Sequence, residues 1–288
     1  MIITFIASIA LGFAVGILSG LLGVGGGVVM LPAFRLLFGM SALGSTATSL
    51  FTIIPTSASG AVTHVRRKTC LPKLGIALGV GGACTSALGV TLAQHAPSWV
   101  VMVAAAVAIG YSGFTMLQKA LKIPKTPKGV AEPRPQGEKT AEASAAAQAG
   151  PSADPSVEKF RTLAPLDAVK AVAIGMAAGL ASGFIGLGGG FIMIPLMVAV
   201  LGLPMRLASG TSLIAVMILA MPATIAQCVL GNVDYLAGIA VACGSIPGAV
   251  LGARFASRVP ERTLRLVFSA FLAVAAILLV VKETGAMG

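Results

Sequence analysis

Charged side chains are scarce in this 288-residue sequence. Asp, Glu, Lys and Arg together make up 10% of the residues, whereas a soluble domain carries about 25%. Hydrophobic residues account for 57% of the chain, and its mean hydropathy is +0.97. Apolar stretches long enough to cross a bilayer recur along the sequence. The composition therefore excludes a soluble globular protein and predicts a membrane protein that crosses the bilayer several times.

Acidic residues are missing from the apolar stretches altogether, since all nine lie in loops, at segment ends or in a central polar region. A cation site or proton relay inside a membrane usually needs such a carboxylate, so its absence favours an anionic or neutral substrate. The four cysteines form no CxxC or Cys/His pattern, and no nucleophile–base pair or metal cluster is evident. We therefore expect no enzymatic activity, no metal and no cofactor.

The basic residues give a net charge of +11. In a soluble protein this excess would suggest nucleic acid as a partner. In a membrane protein Lys and Arg collect in cytoplasmic loops, which explains the excess without a nucleic-acid partner.

A duplicated glycine pattern is the most informative feature that the chain does contain. Residues 12–32 read GFAVGILSGLLGVGGGVVMLP and residues 175–195 read GMAAGLASGFIGLGGGFIMIP. At a constant offset of 163 residues, 11 of these 21 positions are identical, and the match continues at 48–50 and 211–213, both Thr-Ser-Leu. Two repeats, each with an interrupted hydrophobic segment, are typical of membrane transporters.

Each half contains five apolar segments. A continuous helix over residues 2–38 would be about 55 Å long, against a bilayer core of about 30 Å. We therefore expect the glycine cluster to break the first helix pair of each repeat, either as a hairpin or as re-entrant halves. The predicted segments are 2–20, 26–40, 44–63, 72–93, 97–118, 168–183, 189–203, 207–229, 233–253 and 263–282.

The region 120–166 is rich in Pro, Ala, Lys and Glu and has almost no large apolar side chains. Such a composition cannot bury enough surface to offset chain entropy. It predicts a flexible cytoplasmic linker between a first transmembrane repeat, 1–119, and a second, 167–288.

The distribution of basic residues predicts the orientation of the chain. With both termini outside and the linker inside, 18 of the 20 basic residues fall on the cytoplasmic side, as the positive-inside rule requires. The basic loop HVRRKTCLPK follows the third segment of the first half, whereas ARFASRVPER follows the fourth segment of the second half. Neither loop has a basic counterpart in the other half. Equivalent loops would then face opposite sides, so the fold class predicted is an all-α integral membrane protein with two inverted repeats.

Inverted repeats place their equivalent helix breaks close together near the midplane. Glycine runs permit positive φ and close ligand approach, and the helices that follow present a partial positive charge at their N-termini. These properties predict an anion site. The expected substrate-binding residues are Gly23, Gly25, Gly26, Gly27, Thr48, Ser49, Gly186, Gly188, Gly189, Gly190, Thr211 and Ser212, with further hydroxyls at Ser19, Thr46, Ser182 and Ser209.

Several of these residue types also have a purely structural explanation. Hydroxyls in membrane helices commonly bond to their own backbone. Arg206 either attracts anions on the cytoplasmic side or anchors the topology. Glycines spaced by three or four residues, such as Gly12, Gly16 and Gly20, let membrane helices pack closely.

The duplicated motif G-x-x-S-G-x-x-G-x-G-G-G-x-x-x-x-P, present as GILSGLLGVGGGVVMLP and GLASGFIGLGGGFIMIP, resembles the TauE/SafE sulfite exporter family, also called the TSUP family. The stretches STATSLF and ASGTSLI are similar to that family as well. The resemblance covers both halves and implies export of sulfite, related sulfur oxyanions or organosulfonates across the inner membrane. It also implies that the motif glycines and the Thr-Ser pairs line the pathway, whereas the long linker departs from the compact loop expected.

These observations predict a secondary transporter that exports sulfite, or a related small sulfur oxyanion or organosulfonate, across the cell inner membrane by alternating access. A passive anion channel and an uptake permease for an organosulfonate are the alternatives, and a bicarbonate-like oxyanion would satisfy the same donors. A membrane scaffold that binds a partner through the linker is a third interpretation. Small residues on several helices are compatible with a homodimer.

Overall fold

The computed structural model describes residues 2–121, 165–256 and 258–286, which form ten helices and no strand. Most of the predicted linker, residues 122–164, lies outside the described residues. The helices are α1 (Ile2–Leu22), α2 (Gly27–Leu37), α3 (Ala42–Arg66), α4 (Pro72–His95), α5 (Ser98–Leu121), α6 (Pro165–Ile185), α7 (Gly190–Val200), α8 (Met205–Val229), α9 (Tyr235–Ala256) and α10 (Glu261–Ala286).

The all-helical membrane fold predicted from the sequence is confirmed. Within the described ranges, four helices are long and apolar enough to cross a membrane: α4, α8, α9 and the part of α6 from Asp167 to Ile185. Shorter apolar stretches occur in α1, α5 and α7. Both helix breaks fall at the glycine clusters, between α1 and α2 and between α6 and α7.

Helix α3 is more polar than the spanning helices but lies among them, packed against α8 and α9. Its threonine hydroxyls bond to backbone carbonyls of the same helix. Thr52 Oγ1 donates to the Thr48 carbonyl at 2.8 Å, and Thr56 Oγ1 donates to the Thr52 carbonyl at 2.8 Å. Because these bonds are made inside the helix, the hydroxyls need no water. A threonine-rich helix can therefore occupy the interior of the bundle.

Close glycine packing joins the two halves. Helix α1 lies along α9 and α6 lies along α4, with glycines pressed against the backbone of the partner helix. In α1, Gly12 contacts Val241 and Gly20 contacts Ala249, so α1 and α9 run parallel. This contact confirms the packing role of glycines spaced by four residues. The glycines involved are Gly12, Gly16 and Gly20 in α1 and Gly175, Gly179 and Gly183 in α6.

Helices α3 and α8 occupy equivalent places in the two repeats and pack against each other. Gly60 in α3 contacts Leu213 in α8, while Gly210 in α8 contacts His64 in α3. Residue numbers therefore rise along one helix as they fall along the other, and the pair is antiparallel. An antiparallel pairing of equivalent helices supports the inverted arrangement of the repeats, which stays a prediction.

Helix α2 folds back toward the end of the bundle from which α1 enters. Near the end of α1, the Gly20 carbonyl lies 3.0 Å from His64 Nε2, close to the end of α3. The next helix, α2, begins at Gly27 beside Ile53, in the middle of α3, and ends four residues before α3 begins. The first helix pair is therefore a hairpin, one of the two forms that the sequence left open.

Basic side chains gather at one end of the bundle. Arg66 and Arg67 end α3, and Arg67 Nη1 donates to the carbonyl of Arg254, at the end of α9, at 3.1 Å. Arg206, at the start of α8, lies at the same end. Arg35 lies in the last turn of α2, next to the start of α3 and thus toward the opposite end. The charge distribution is asymmetric as predicted, while its assignment to the cytoplasmic side stays a prediction.

Candidate functional site

Two glycine turns meet in the middle of the bundle. We define the first glycine turn as residues 23–26 and the second as residues 186–189. A Cβ atom added to Gly27, just after the first turn, would lie 2.5 Å from the Leu187 carbonyl oxygen in the second. A Cβ added to Gly190 would lie 2.9 Å from the Val24 carbonyl oxygen. The structure thus brings the two predicted helix breaks into direct contact.

The backbone of both turns requires glycine. Three residues in each turn have φ between +68° and +84°, a region that side chains with a Cβ rarely adopt. These residues are Gly23, Gly25 and Gly26 in the first turn and Gly186, Gly188 and Gly189 in the second. The same backbone geometry therefore occurs twice at one place.

Each turn leads directly into the N-terminus of a short helix. Gly26 caps α2 without a side-chain hydrogen bond, and Gly189 caps α7 in the same way. The N–H groups of Val29 and Met30 donate to the Gly26 carbonyl at 3.1 Å, which opens the hydrogen bonding of α2. The N–H groups that precede them have no intrahelical acceptor, and the helix dipole places partial positive charge there. In α7 the Gly190 N–H already donates to the Gly188 carbonyl at 2.8 Å. The other N–H groups of the two first turns are suited to an anion.

Two apolar side chains lie between the turns. A Cβ on Gly25 would lie 2.8 Å from Val216 Cγ1, and a Cβ on Gly188 would lie 2.9 Å from Ile53 Cδ1. Ile53 and Val216 are themselves related by the repeat offset of 163 residues. All the turn glycines are buried. The structure therefore represents a closed conformation in which side chains fill the space between the turns.

Hydroxyl groups of the neighbouring helices donate to backbone carbonyls at or just before the start of each turn. Ser212 Oγ donates to the Gly23 carbonyl at 2.6 Å, and Thr46 Oγ1 lies 3.4 Å from the Ile185 carbonyl as a donor. Both side chains are buried. Ser212 thus holds the first turn against α8, and Thr46 holds the end of α6 against α3.

Six further buried hydroxyls have no hydrogen-bond partner among the described residues: those of Ser19, Ser45, Ser49, Ser57, Ser182 and Thr224. Ser57 Oγ lies 3.0 Å from the place of a Cβ on Gly25, and the Ser182 Cβ lies 3.3 Å from that of a Cβ on Gly189. Leaving a buried hydroxyl unpaired is costly, so such groups call for an explanation. The position of Ser57 and Ser182 beside the turns makes these two candidate donors to a bound anion.

Ser57 was missed by reasoning from the duplication, because its counterpart in the second repeat is Ala220. A different signal identifies it. Ser49, Ile53 and Ser57 are spaced by four residues and so share one face of α3. That face points to the turns, as the contacts of Ile53 and Ser57 with Gly25 demonstrate.

The hydroxyls of Thr48 and Thr211 each accept a hydrogen bond from a loop. Thr48 Oγ1 accepts a hydrogen bond from the Asp234 N–H at 3.0 Å, and Thr211 Oγ1 accepts one from the Leu71 N–H at 3.0 Å. These two bonds are equivalent under the repeat offset. Each threonine fastens the loop that precedes α9 or α4. The structure gives this pair a structural contact, and their role in substrate binding stays a prediction.

Arg206 makes a structural contact as well. Its Nε and Nη2 donate to the Val259 carbonyl at 3.2 and 2.7 Å, joining the start of α8 to the loop between α9 and α10. The side chain is exposed at the cationic end of the bundle. Among the described residues, no group of three or more His, Cys, Asp or Glu side chains is placed to hold a metal ion.

Comparison with known proteins gives one family match and several relatives. The family model described as "Sulfite exporter TauE/SafE" matches residues 8–279. A probable membrane transporter protein of Bacillus subtilis (strain 168), YdhB, is 28% identical over 268 residues, covering 93% of this chain and 96% of the relative. YunE, of the same description and strain, is 24% identical over 270 residues, covering 91% and 92%.

A probable membrane transporter protein of Xylella fastidiosa (strain 9a5c) is 31% identical over 109 residues, which cover 38% of this chain and 41% of the relative. No solved structure matches the chain. The family match extends over both repeats and includes both glycine turns.

Proposed function

The chain belongs to the sulfite exporter TauE/SafE family, and from this premise we propose that it exports sulfite, or a related small sulfur oxyanion or organosulfonate, across the cell inner membrane. The coarser conclusion is plain: it is a multi-pass membrane transporter of the TauE/SafE type. The substrate, the direction and the mechanism form the proposal.

The observation that carries the proposal is the contact between the two glycine turns, each at the N-terminus of a helix. Sulfite presents three oxygen acceptors and no donor when fully ionised. Backbone N–H groups and serine hydroxyls are donors that need no counter-charge, and helix dipoles add partial positive charge. A neutral donor set of this kind holds an anion strongly enough to bind it and weakly enough to release it.

Ser57 and Ser182 complete this donor set from either side. Ser57 lies beside the first turn and Ser182 beside the second, and both hydroxyls lack a partner in the described part of the chain. In the absence of substrate each unpaired hydroxyl is costly. An anion that accepts both hydrogen bonds would remove this cost, which favours binding at the turns over binding elsewhere.

The filled centre, together with the predicted inverted repeats, supports alternating access as the mechanism. Ile53 and Val216 fill the space between the turns, so the substrate enters only when these side chains and the hairpins beside them move. Repeats related by an axis in the membrane plane give two conformations, open to opposite sides, from the exchange of the two halves. The cationic end of the bundle is placed in the cytoplasm in this proposal, with both termini outside.

Sulfite flux into proteoliposomes tests the proposal, with the wild-type protein beside the double variant Ser57→Ala, Ser182→Ala. Because neither hydroxyl has a protein partner, its removal costs little folding stability. We expect saturable flux with a KM raised about tenfold or more in the variant, as for the loss of two hydrogen bonds to a charged ligand.

Thr224→Val is the matched control, since its hydroxyl is also buried without a partner but lies eight residues along α8 from Val216. Its flux should equal that of the wild type. Counterflow, in which unlabelled sulfite inside accelerates entry of labelled sulfite, is expected of a carrier and not of a channel. Non-saturable flux without counterflow would replace the carrier by a channel, and no sulfite flux from correctly inserted protein would reject sulfite as the substrate.

A further inference from the structure

A groove outside the transport site lies between α3 and α9, at the cationic end of the bundle. Its volume is about 550 Å³. Alanine and valine side chains together with two hydroxyl groups line one part of it, and three arginines line the part at the helix ends. The lining residues that matter here are Ser59, Val62, Thr63, Arg66, Arg67 and Arg254.

The chemistry of the groove changes along its length. Val62, 51% exposed, lies on the outer surface of α3, one turn before Arg66. Arg66 and Arg67 follow at the end of the helix, where Arg67 Nη1 donates to the Arg254 carbonyl while its side chain lines the same groove. None of the described lining residues is acidic. The groove is therefore apolar toward the membrane interior and triply cationic at the membrane surface.

The equivalent positions in the opposite repeat carry no charge. Arg66, Arg67 and Arg254 correspond to Val229, Leu230 and Thr91, and Val229 is 83% exposed. The duplicated architecture thus forms the same helix contact without arginine. The three guanidiniums are therefore not a general requirement of this helix contact, although Arg67 also joins α3 to α9 through the Arg254 carbonyl.

We propose that the groove between α3 and α9 binds the headgroup of an anionic glycerophospholipid from the leaflet at the cationic end. Guanidinium groups bind phosphate oxygens through paired hydrogen bonds, and basic pockets between membrane helices suit anionic headgroups. Exposed Val62 and Val65 continue the apolar wall along α3, where an acyl chain lies against the helix. A free anion would leave this apolar wall unused, which favours a lipid.

Native mass spectrometry of the full-length protein, titrated with phosphatidylglycerol in detergent, tests the proposal. The variant Arg66→Gln, Arg67→Gln, Arg254→Gln removes the three charges of the groove. We expect its affinity for phosphatidylglycerol to fall about a hundredfold, given the contribution of each basic residue near an anionic surface. Phosphatidylcholine should bind both proteins equally weakly.

The matched control removes three charges from the same end outside the groove: Lys68→Gln, Lys73→Gln, Arg258→Gln, all exposed. It should keep the wild-type affinity. Equal losses in the two triple variants, or no loss in either, would overturn the proposal because binding would not depend on the groove. If the Gln variant fails to fold, Arg66→Gln alone, at an exposed helix end, should weaken binding about fivefold.

Inorganic phosphate distinguishes a lipid from a soluble anion. Phosphate in a hundredfold excess over the lipid should leave phosphatidylglycerol bound, because the acyl chain adds apolar contact that phosphate lacks. Displacement of the lipid by phosphate would overturn the lipid assignment in favour of a soluble anion.

Discussion

At the centre of the bundle the two repeats present the same glycine turn, with matching positive φ values and matching glycine caps. At its ends the repeats differ in charge, because the arginines that line the groove between α3 and α9 have uncharged counterparts in the other repeat. The turns touch each other and contribute to one place. A change in one turn therefore alters the surroundings of the other. The arginines and their uncharged counterparts belong to different helix pairs, α3 with α9 and α8 with α4. Nothing in the contact between the turns requires those residues to stay alike.

The comparison distinguishes residues that both repeats share from residues that are present in one repeat only. Where equivalent residues have the same surroundings, as Gly25 and Gly188 do beside Ile53 and Val216, we expect mutations in the two repeats to have equal effects. Where their surroundings differ, we expect unequal effects. Three predictions test this rule, in order of decreasing effect.

The helix-packing glycines should be equally sensitive in both repeats. Gly16→Leu drives a side chain into the Ser245 backbone of α9, and Gly179→Leu drives one into the Gly82 backbone of α4. Because backbone cannot move aside as a side chain does, each change should lower the free energy of unfolding by more than about 4 kcal/mol. Unfolding of the purified protein in SDS or urea measures the loss.

Gly110→Leu in α5 is the control, because a Cβ at this position meets no atom within 4 Å. It should be nearly neutral. If Gly16→Leu were tolerated while Gly179→Leu was not, the two contacts would not be equivalent.

Substitutions in the glycine turns should cause the second-largest loss of stability. Gly25→Ala and Gly188→Ala each force a non-glycine residue to φ near +80° and press its Cβ against Val216 or Ile53. We expect each to cost about 3 kcal/mol from backbone strain and overpacking together, and to lower sulfite flux to the same extent.

Gly39→Ala and Gly202→Ala isolate the strain, since these glycines also have positive φ but no atom within 4 Å of an added Cβ. Each should cost about 1 kcal/mol and leave flux unchanged. Equal losses at Gly25 and Gly39 would mean that close packing between the turns contributes nothing.

Substitutions of Thr48 and Thr211 should have the smallest effects on stability, and the two effects should differ. Thr211→Val leaves the N–H of buried Leu71 unpaired, whereas Thr48→Val leaves that of exposed Asp234, which water can reach. We expect a cost of about 2 kcal/mol for Thr211→Val and less than about 1 kcal/mol for Thr48→Val.

The serine variants of both threonines should restore stability, because they keep the hydroxyl acceptor. Sulfite flux also distinguishes the two roles of these residues. Wild-type KM in both valine variants indicates that they only hold the loops, whereas a raised KM indicates that the hydroxyls reach the substrate as the motif predicted.

Much of the fold follows from particular residues in the sequence. The glycine clusters at 23–27 and 186–190 end one helix and begin the next because their backbone needs positive φ. The spacing of Gly12, Gly16 and Gly20 places them on one helix face, and this is the face that meets α9. These features depend on local geometry, which a sequence pattern records directly.

The candidate site was harder to predict. Thr48 and Thr211 were chosen because they recur, but recurrence does not distinguish a binding hydroxyl from one that fastens a loop. Ser57 does not recur and so was overlooked, although it lies against Gly25. The direction of a side chain toward another helix depends on crossing angles and helix rotation, which composition and spacing leave undetermined.

By itself the sequence determined that this protein lies in a membrane, that it is built from two equivalent halves, and that each half breaks at a glycine turn. Hydropathy, duplication and backbone freedom are properties of consecutive residues, so no partner is needed to detect them. Only the tertiary structure decided that the two turns touch, that Ile53 and Val216 lie between them, and that three arginines share one groove. Those facts join residues on different helices, and packing alone brings such residues together.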